Sequence, residues 1–415
     1  MSIVDSEVIA LFNKMTVRDI DVMGKRVLVR VDFNVPLDEA GRVVDDSRIR
    51  AVMPTIEYLI NRGAMVILMS HLGRPKGIDP RFRLDSVAER LAQLLGREVT
   101  KVDETVGPEA KEAAAGMKPG DVLLLENLRF NPGEETNDRD FAKALADLAD
   151  IYVNDAFGTA HRKHASVVGV AQFLPSVAGF LLEREVDTLT NLLEAPERPF
   201  VAILGGSKVS DKVAVIDRFL DVVDSLLIGG GMCFTFLKAR GLEIGKSLLE
   251  EDRLQYARDV LAEAENRSVS ILLPTDIVAA DRVAPDADSK VVPVTRIPED
   301  WMGVDIGPAT ISDFHDAISR AKTIFWNGPM GVFEIEKFAT GTKKVAEAVG
   351  KSSATSIIGG GDTVAAVERF SAASCMSFIS TGGGASMKLL GGDSLPGVEA
   401  LQDHEAGGRA ATAAL

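Results

Sequence analysis

Phe200-Val-Ala-Ile-Leu-Gly-Gly-Ser-Lys208 runs five apolar residues straight into two glycines, a serine and a lysine. An unbroken apolar run of that length, without alternation, predicts a strand covered on both faces, as in a parallel sheet. The glycines at its carboxyl end predict a loop whose backbone N–H groups can approach an oxyanion, with helix N-termini adding partial positive charge. The arrangement recurs four times. Ser225-Leu-Leu-Ile-Gly-Gly-Gly-Met232, Thr323-Ile-Phe-Trp-Asn-Gly-Pro-Met-Gly331, Ser356-Ile-Ile-Gly-Gly-Gly-Asp362 and Phe378-Ile-Ser-Thr-Gly-Gly-Gly-Ala-Ser386 all follow it. One such turn is a weak signal. Five at the ends of parallel strands predict an open α/β sheet with a nucleotide-phosphate site along its carboxyl rim.

The first half of the chain repeats the pattern with different chemistry. Arg26–Phe33, Ala64–Ser70, Asp121–Leu125 and Asp150–Val153 read as buried strands, separated by helical segments such as Asp46–Arg62 and Asp85–Leu95. Just past these strands stand Asp32 and Asn34, His71 and Arg74, Asn127 and Arg129, and Asn154 and Asp155. Gly158-Thr-Ala-His-Arg-Lys-His164 follows. Each alone has a bland reading: a solvated arginine, a loop histidine, a turn-forming Asp or Asn. Recurrence at four successive strand ends predicts one polar, positive rim.

At 415 residues two domains are the default. Between the halves Glu183–Glu194 reads as a helix, with Leu182, Val186, Leu189 and Leu193 at helical spacing and Ala195-Pro-Glu-Arg-Pro199 ending it. The expected division is 1–182, a connecting helix and hinge over 183–198, and 199–395, with 396–415 packing back on the first domain. A composition of 46% hydrophobic and 26% charged residues is that of a globular protein. No apolar run approaches the roughly 18 residues of a membrane span, and no secretion signal is legible in Met1-Ser-Ile-Val-Asp-Ser-Glu7. A net charge of −15 disfavours nucleic acid and anionic membranes as partners. Cys233 and Cys375 give no disulfide framework and read as reduced core residues of a cytoplasmic protein.

Several familiar motifs fail. Gly241-Leu-Glu-Ile-Gly-Lys-Ser247 resembles a Walker A loop but is one residue short between its glycines, and it follows a helical stretch, Cys233–Ala239. Gly-x-Gly-x-x-Gly, zinc-spaced Cys/His and Gly-x-Ser-x-Gly are all absent.

The remaining motifs resemble those of the phosphoglycerate kinase family. In the first half these are Val29-Arg-Val-Asp-Phe-Asn-Val-Pro36, Ser70-His-Leu-Gly-Arg-Pro75, Glu126-Asn-Leu-Arg-Phe130 and Asn154-Asp-Ala-Phe-Gly-Thr-Ala-His-Arg162. In the second they are Gly205-Gly-Ser-Lys-Val-Ser-Asp-Lys212, Trp326-Asn-Gly-Pro-Met-Gly-Val-Phe-Glu334, Gly359-Gly-Gly-Asp-Thr363 and Gly382-Gly-Gly-Ala-Ser386. The resemblance runs from Met15 to Leu401. It implies two Rossmann-like three-layer α/β/α domains joined by a hinge helix. It also implies a monomeric glycolytic enzyme that moves a phosphoryl group between 1,3-bisphosphoglycerate with MgADP and 3-phosphoglycerate with MgATP. A catalytically silent nucleotide-binding regulator of the same fold is the alternative.

By that resemblance Asp32, Phe33, Asn34, Arg48, His71, Leu72, Gly73, Arg74, Arg129 and Arg162 bind phosphoglycerate. Arginine suits phosphate and carboxylate because its planar fork grips them bidentately at any relevant pH. Gly205, Gly206, Lys212, Gly230, Gly231, Gly303, Asn327, Pro329, Glu334, Gly360, Gly361, Asp362 and Thr363 form the nucleotide site, with Asp362 the magnesium ligand. Arg48, Lys208, Lys212, Gly361 and Gly384 meet the migrating group, which passes in line without a protein nucleophile. Lys208 and Lys212, four apart, are expected on one face of a helix starting near Ser207. Ser210 stands where the family commonly has alanine, an exposed and silent change by expectation. Lys388 and Gly391 replace commonly acidic residues. Half-sites on two domains imply hinge closure near 183–198 and 391–397 that excludes water.

Overall fold

The computed structural model describes residues 12–404. The chain forms two compact units, one reaching Thr188 and resuming at Ser394, the other spanning Leu189–Asp393.

In the first unit β1 (Arg26–Arg30), α1 (Ser47–Asn61), β2 (Met65–Met69), α2 (Asp85–Leu95), β3 (Thr100–Lys101), α3 (Pro108–Gly116), β4 (Val122–Leu124), α4 (Arg139–Ala146), β5 (Ile151–Asn154) and β6 (Ser176–Ala178) follow one another. The strands make one sheet in the order β3-β4-β2-β1-β5-β6, and every pair is parallel. The path from β4 to β5 crosses to the far side of β1. Strand order therefore turns at the β1–β5 boundary, where an open α/β sheet leaves a crevice. Val27, Val29, Val31 and Phe33 pack with Ile49, Val52, Ile56 and Leu59 of α1 and Val87 and Leu91 of α2. Each such buried side chain contributes roughly 1.5–3 kcal/mol. Leu28 and Arg30, out of phase by one residue, face the other side, and Arg30 is fully buried there.

Helix α5 (Phe180–Glu194) starts in the first unit and ends in the second. It begins three residues before the expected Glu183, because Asp155 caps it. The Oδ1 of Asp155 accepts from the amides of Leu181 (2.9 Å) and Leu182 (3.1 Å). Complete burial pushes the Asp155 carboxyl up from 3.8 to about 7. The folded state therefore holds this proton more tightly than the unfolded chain, so stability from this group falls as pH rises from about 4 through 7. Asp155→Asn keeps the accepting oxygen without the charge. Its unfolding free energy in urea should exceed wild type by on the order of a few kcal/mol at pH 8, with the gap closing near pH 4.

In the second unit β7 (Phe200–Leu204), α6 (Val213–Phe219), β8 (Ser225–Ile228), α7 (Cys233–Ala239), α8 (Leu254–Asn266) and β9 (Ser270–Leu272) come first. After β10 (Asp276–Ala280), β11 (Ser289–Pro293) and β12 (Met302–Ile306) come α9 (Pro308–Arg320), β13 (Thr323–Asn327), α10 (Thr340–Lys351), β14 (Thr355–Gly359), α11 (Gly361–Arg369), β15 (Phe378–Ile379) and α12 (Gly384–Leu390). The main sheet, β15-β14-β13-β7-β8-β9, is parallel throughout. Its order turns between β7 and β13. Beside it lies an antiparallel sheet, β11-β10-β12, which sequence reasoning did not anticipate. Four of the five residues of β11 are exposed, so it carries little apolar signal.

The return segment docks on the first unit. Gly397 donates to the Ala160 carbonyl at 2.8 Å, and Asn154 Nδ2 donates to the Gly397 carbonyl at 3.1 Å. Lys14 Nζ, at the other end of the described chain, reaches Asp403 Oδ1 at 2.6 Å. Cys233 is buried as expected, but Cys375 is exposed. It belongs to a short 3-10 turn, Ala373–Cys375, outside the sheet and its covering helices. Among the described residues no helix is long and apolar enough to cross a membrane.

Candidate active site

At the carboxyl rim of the first sheet, α1 opens with Arg48, whose guanidinium pairs with Asp32 just past β1. Asp32 is thus an arginine-orienting carboxylate. Burial opposes its ionisation, but the Arg48 and Arg30 guanidinium groups around it and the Asn34 amide hold it below the ordinary range. His71, past β2, is pushed down to about 3 by burial and by the charges of Arg30 and Arg129, against the pull of Asp32. Its imidazole is neutral at physiological pH. Arg30 Nη2 lies 3.2 Å from His71 Nδ1, and a guanidinium only donates, so Nδ1 accepts and Nε2 carries the proton. The ring is a neutral hydrogen-bond donor at Nε2.

Asparagines fix the loops that carry the charges. Asn34 Oδ1 accepts from the Gly73 amide at 2.8 Å. Asn127 Oδ1 takes the amides of Leu72 (3.2 Å) and Arg129 (3.1 Å), while its Nδ2 donates to the carbonyls of Leu72 and Phe82. Gly73 has φ +63, and a Cβ there would overlap the Phe82 ring, so only glycine fits. Arg129 donates to the Gly73 carbonyl. Its buried Nε is 3.1 Å from Glu135 Oε1 yet makes no hydrogen bond. Burial, together with repulsion from Arg162, Arg30 and Arg74, lowers the Arg129 pKa despite Glu135. Arg162, Arg30 and Arg74 therefore each stand close enough to Arg129 to repel it, and the cluster makes a positive well.

Not every expected residue faces that well. Phe33 and Leu72 have their side chains in the core. Their amides are already engaged by Ser70 Oγ and Asn127 Oδ1. Asn154 and Asp155 serve the return segment and α5. Sequence reasoning missed Arg30, because a charged residue inside β1 is not marked as different from a surface one. Arg30 Nε donates to Ser166 Oγ at 2.8 Å. Ser166 in turn gives its hydroxyl (2.6 Å) and amide (3.0 Å) to the buried Glu134, which His164 also approaches at 3.6 Å. This buried ion network underlies the His71 loop.

In the second unit two cavities adjoin at the β7–β13 switch. The larger, about 290 Å³, is lined chiefly by backbone and apolar groups: Gly230, Gly231, Phe234, Leu248, Gly303 and Pro329, with Glu334 at its edge. The smaller, about 130 Å³, is polar: Lys208, Asp211, Lys212, Asn327, Gly360, Gly361 and Thr363 line it. Gly206, Ser207 and Asp362 belong to both. Such a pair fits a ligand with one flat apolar end and one anionic end.

The glycines here work differently from the expectation. Gly205 and Gly206 donate to the carbonyls of Asn327 and Pro329 (both 2.9 Å), and Gly230 to that of Met330 (3.1 Å). Those three amides hold loop to loop. A Cβ on Gly205 would overlap the Pro329 carbonyl, and one on Gly230 the Gly206 backbone. Glycine is needed there because backbone crosses backbone where the sheet order turns. Gly360 (φ +89) and Gly361 instead lead directly into α11, whose first-turn amides lie beside Asp362 and Thr363. Gly384 heads α12 behind Gly383 (φ +43).

Lys208 and Lys212 do not share a helix face. The helical path begins only at the 3-10 turn Ser210–Lys212, after Gly206 at φ +90 has redirected the chain. Lys208 is exposed and Lys212 buried. The ammonium of Lys212 donates to Asn327 Oδ1, and Asn327 Nδ2 to the Gly359 carbonyl at 2.8 Å. Burial lowers the Lys212 pKa to about 8, against Asp211 and Asp362. Ser210, expected exposed and silent, is half-buried and bonded to Glu250. Gly391 has a packing reason: a Cβ there would press 2.8 Å from that of Ala214 on α6. Asp305, a cavity-lining carboxylate that sequence reasoning missed, accepts from Ile306 (2.9 Å) and Gly341 (2.7 Å), and burial raises it to about 7.

A positive well on one α/β unit and a paired apolar–polar cavity on the other are the equipment of a small-molecule kinase. The family model described as phosphoglycerate kinase matches residues 17–393, and the chain belongs to that family. It is 58% identical over 387 residues to the phosphoglycerate kinase of Nostoc punctiforme, covering 92% of this chain and 97% of that one. To the cytosolic phosphoglycerate kinase 3 of Arabidopsis thaliana it is 56% identical over 392 residues, covering 94% and 98%. The structure of phosphoglycerate kinase from Coxiella burnetii superposes with a TM-score of 0.84 at 41% identity, covering 93% of this chain and 98% of that one. The activity is accordingly the family's, a kinase reaction with a carboxyl group as acceptor, and the silent-regulator alternative is set aside.

Proposed function

We propose that 3-phosphoglycerate and 1,3-bisphosphoglycerate bind on the first unit against Arg74, Arg129 and Arg162, with His71 Nε2 donating to the ligand and Asn34 and Gly73 shaping the loop. Arg48, aimed by Asp32, meets the migrating phosphoryl group. ATP or ADP lies in the second unit, its base and ribose in the larger cavity with Glu334 at the ribose and its phosphates in the smaller. The carrying observation is the buried Lys212 lining the smaller cavity, a cation hydrogen-bonded to Asn327 that makes no salt bridge among the described residues. Lys212 and Lys208, with the first-turn amides of α11 at Gly361 and of α12 at Gly384, spread the charge of an in-line transfer.

Asp362 fits a magnesium ion, because it borders both cavities and Mg²⁺ favours one or two carboxylates beside phosphate oxygens and water. When bound, the ion would neutralise nucleotide phosphate charge. The protein acts as a cytoplasmic monomer whose two units close about the 183–198 segment to exclude water. Free thiols at Cys233 and Cys375 suit a reducing compartment.

The test is a coupled assay of 3-phosphoglycerate with MgATP, run on wild type and Arg48→Ala. Robust wild-type turnover, a loss of about 10²–10³ in the variant and unchanged nucleotide affinity are expected. Equal turnover by the two proteins would remove Arg48 from the reacting centre.

A further inference from the structure

The Walker-like segment that fails as a phosphate loop has a definite role in the fold. Gly245 (φ +56) lets it turn tightly under the carbonyls of Pro298 and Trp301. Lys246 donates to the Trp301 carbonyl at 2.8 Å, and Ser247 Oγ accepts from the Gly303 amide at 2.9 Å. The segment then passes the mouth of the larger cavity at Leu248 and ends at Glu250. The Glu250 amide donates to Thr235 Oγ1 on α7 at 3.2 Å, which fixes its backbone.

From that anchor the Glu250 side chain reaches the loop after β7. Its Oε2 accepts from the amides of Val209 and Ser210, and its Oε1 accepts the Ser210 hydroxyl at 2.6 Å. We propose that Glu250 is a positioning residue for phosphoryl transfer: it clamps the turn between Lys208 and Lys212 and so sets where both ammonium groups stand. Three bonds converge on one carboxylate between the two lysines. Val209 is itself fully buried, so the loop is pinned by packing on one side and by the carboxylate on the other. Glu250 lines neither cavity, which separates it from the residues that do. The hydroxyl of Ser210 gives the clamp a third bond that alanine at this place would not make. Burial opposes ionisation of Glu250, but the Ser210 hydroxyl and the two amides hold its carboxyl below the ordinary range, so the clamp is charged at neutral pH.

The inference rests on the assignment of Lys212 to the nucleotide phosphates and of Lys208 to the migrating phosphoryl group, and its test separates the clamp from that assignment. Steady-state kinetics are measured for Glu250→Ala, Glu250→Gln, Ser210→Ala and Lys212→Ala with each substrate varied in turn. Glu250→Ala should lower kcat/KM for MgATP about 10- to 100-fold, the scale of a misplacement near 1 Å. KM for 3-phosphoglycerate should stay within about twofold, because that site is on the other unit. Glu250→Gln, which keeps one accepting oxygen, should fall between, and Ser210→Ala should lose only about two- to fivefold. The substrate split is the readout that general destabilisation would not give. If Glu250→Ala does not fold, Glu250→Gln and Ser210→Ala decide by the same split. Unchanged MgATP kinetics in the Glu250 variants beside a crippled Lys212→Ala, or a KM for 3-phosphoglycerate raised as much as that for MgATP, overturn the clamp. An unimpaired Lys212→Ala overturns the phosphate assignment and the clamp with it.

Discussion

Lys212→Ala is expected to lower kcat by roughly 10²–10³ while leaving KM for 3-phosphoglycerate unchanged. The magnitude is that of removing one preorganised charge from a water-poor site, about 3–4 kcal/mol of transition-state stabilisation. Its physical basis is burial. An exposed lysine is screened by water and salt, whereas Lys212 is only 9% exposed and hydrogen-bonded to Asn327. The same burial brings its pKa to about 8. In the nucleotide-free enzyme the charge is therefore lost as pH rises through 8, and kcat/KM for MgATP should decline above that point. Bound phosphates favour the protonated amine, so the fall in kcat should come at higher pH. A pH–rate profile of wild type and variant checks both statements. A variant with wild-type kcat would show that the charge acts elsewhere.

Arg30→Met is expected to destabilise the first unit by about 3–5 kcal/mol. Methionine nearly fills the volume, so the loss does not come from a cavity. It comes from Glu134, left buried without the guanidinium that helps keep it ionised. Glu134 keeps the Ser166 and His164 contacts, so protonation at lower pH should recover part of the loss. Urea unfolding at pH 5 and pH 7.5 measures this, and a smaller deficit at pH 5 is the expected sign. His71 should change as well. Arg30 both lowers its pKa and holds Nδ1 as an acceptor. Without Arg30 the ring is freer to protonate or switch tautomer, which NMR titration of its ring carbons would report. If the variant is as stable as wild type, the ion network is dispensable for the fold.

The sequence carried the strands of both parallel sheets except the edge strands β3, β6 and β9, because residues buried on both faces must be continuously apolar, whereas these edge strands are only two or three residues long. It carried α2 and α7 to the residue, since Asp85–Leu95 and Cys233–Ala239 keep a clear helical pattern. It did not carry the start of α5, whose cap comes from Asp155, distant in the chain and adjacent only after folding. The path of residues 207–212 was misread for the same reason: Glu250, forty residues on, decides it. The glycine-rich turns were legible as the lining of a cavity, but not in their working. A glycine that admits an anion and one that admits another loop look alike in sequence. Cys375 illustrates the opposite limit, since apolar neighbours along the chain say little about a short turn outside the sheet.

The first unit is assembled from two separated stretches, with the second held between them in the chain. Residues 394–404 supply Gly397 to Asn154 and Ala160, and Asp403 to Lys14. A ribosome makes those contacts available only after it has finished Leu189–Asp393. The second unit, although later in the sequence, thus becomes complete before its neighbour, which waits for its last strip of chain. During synthesis the unit begun first is the one finished last.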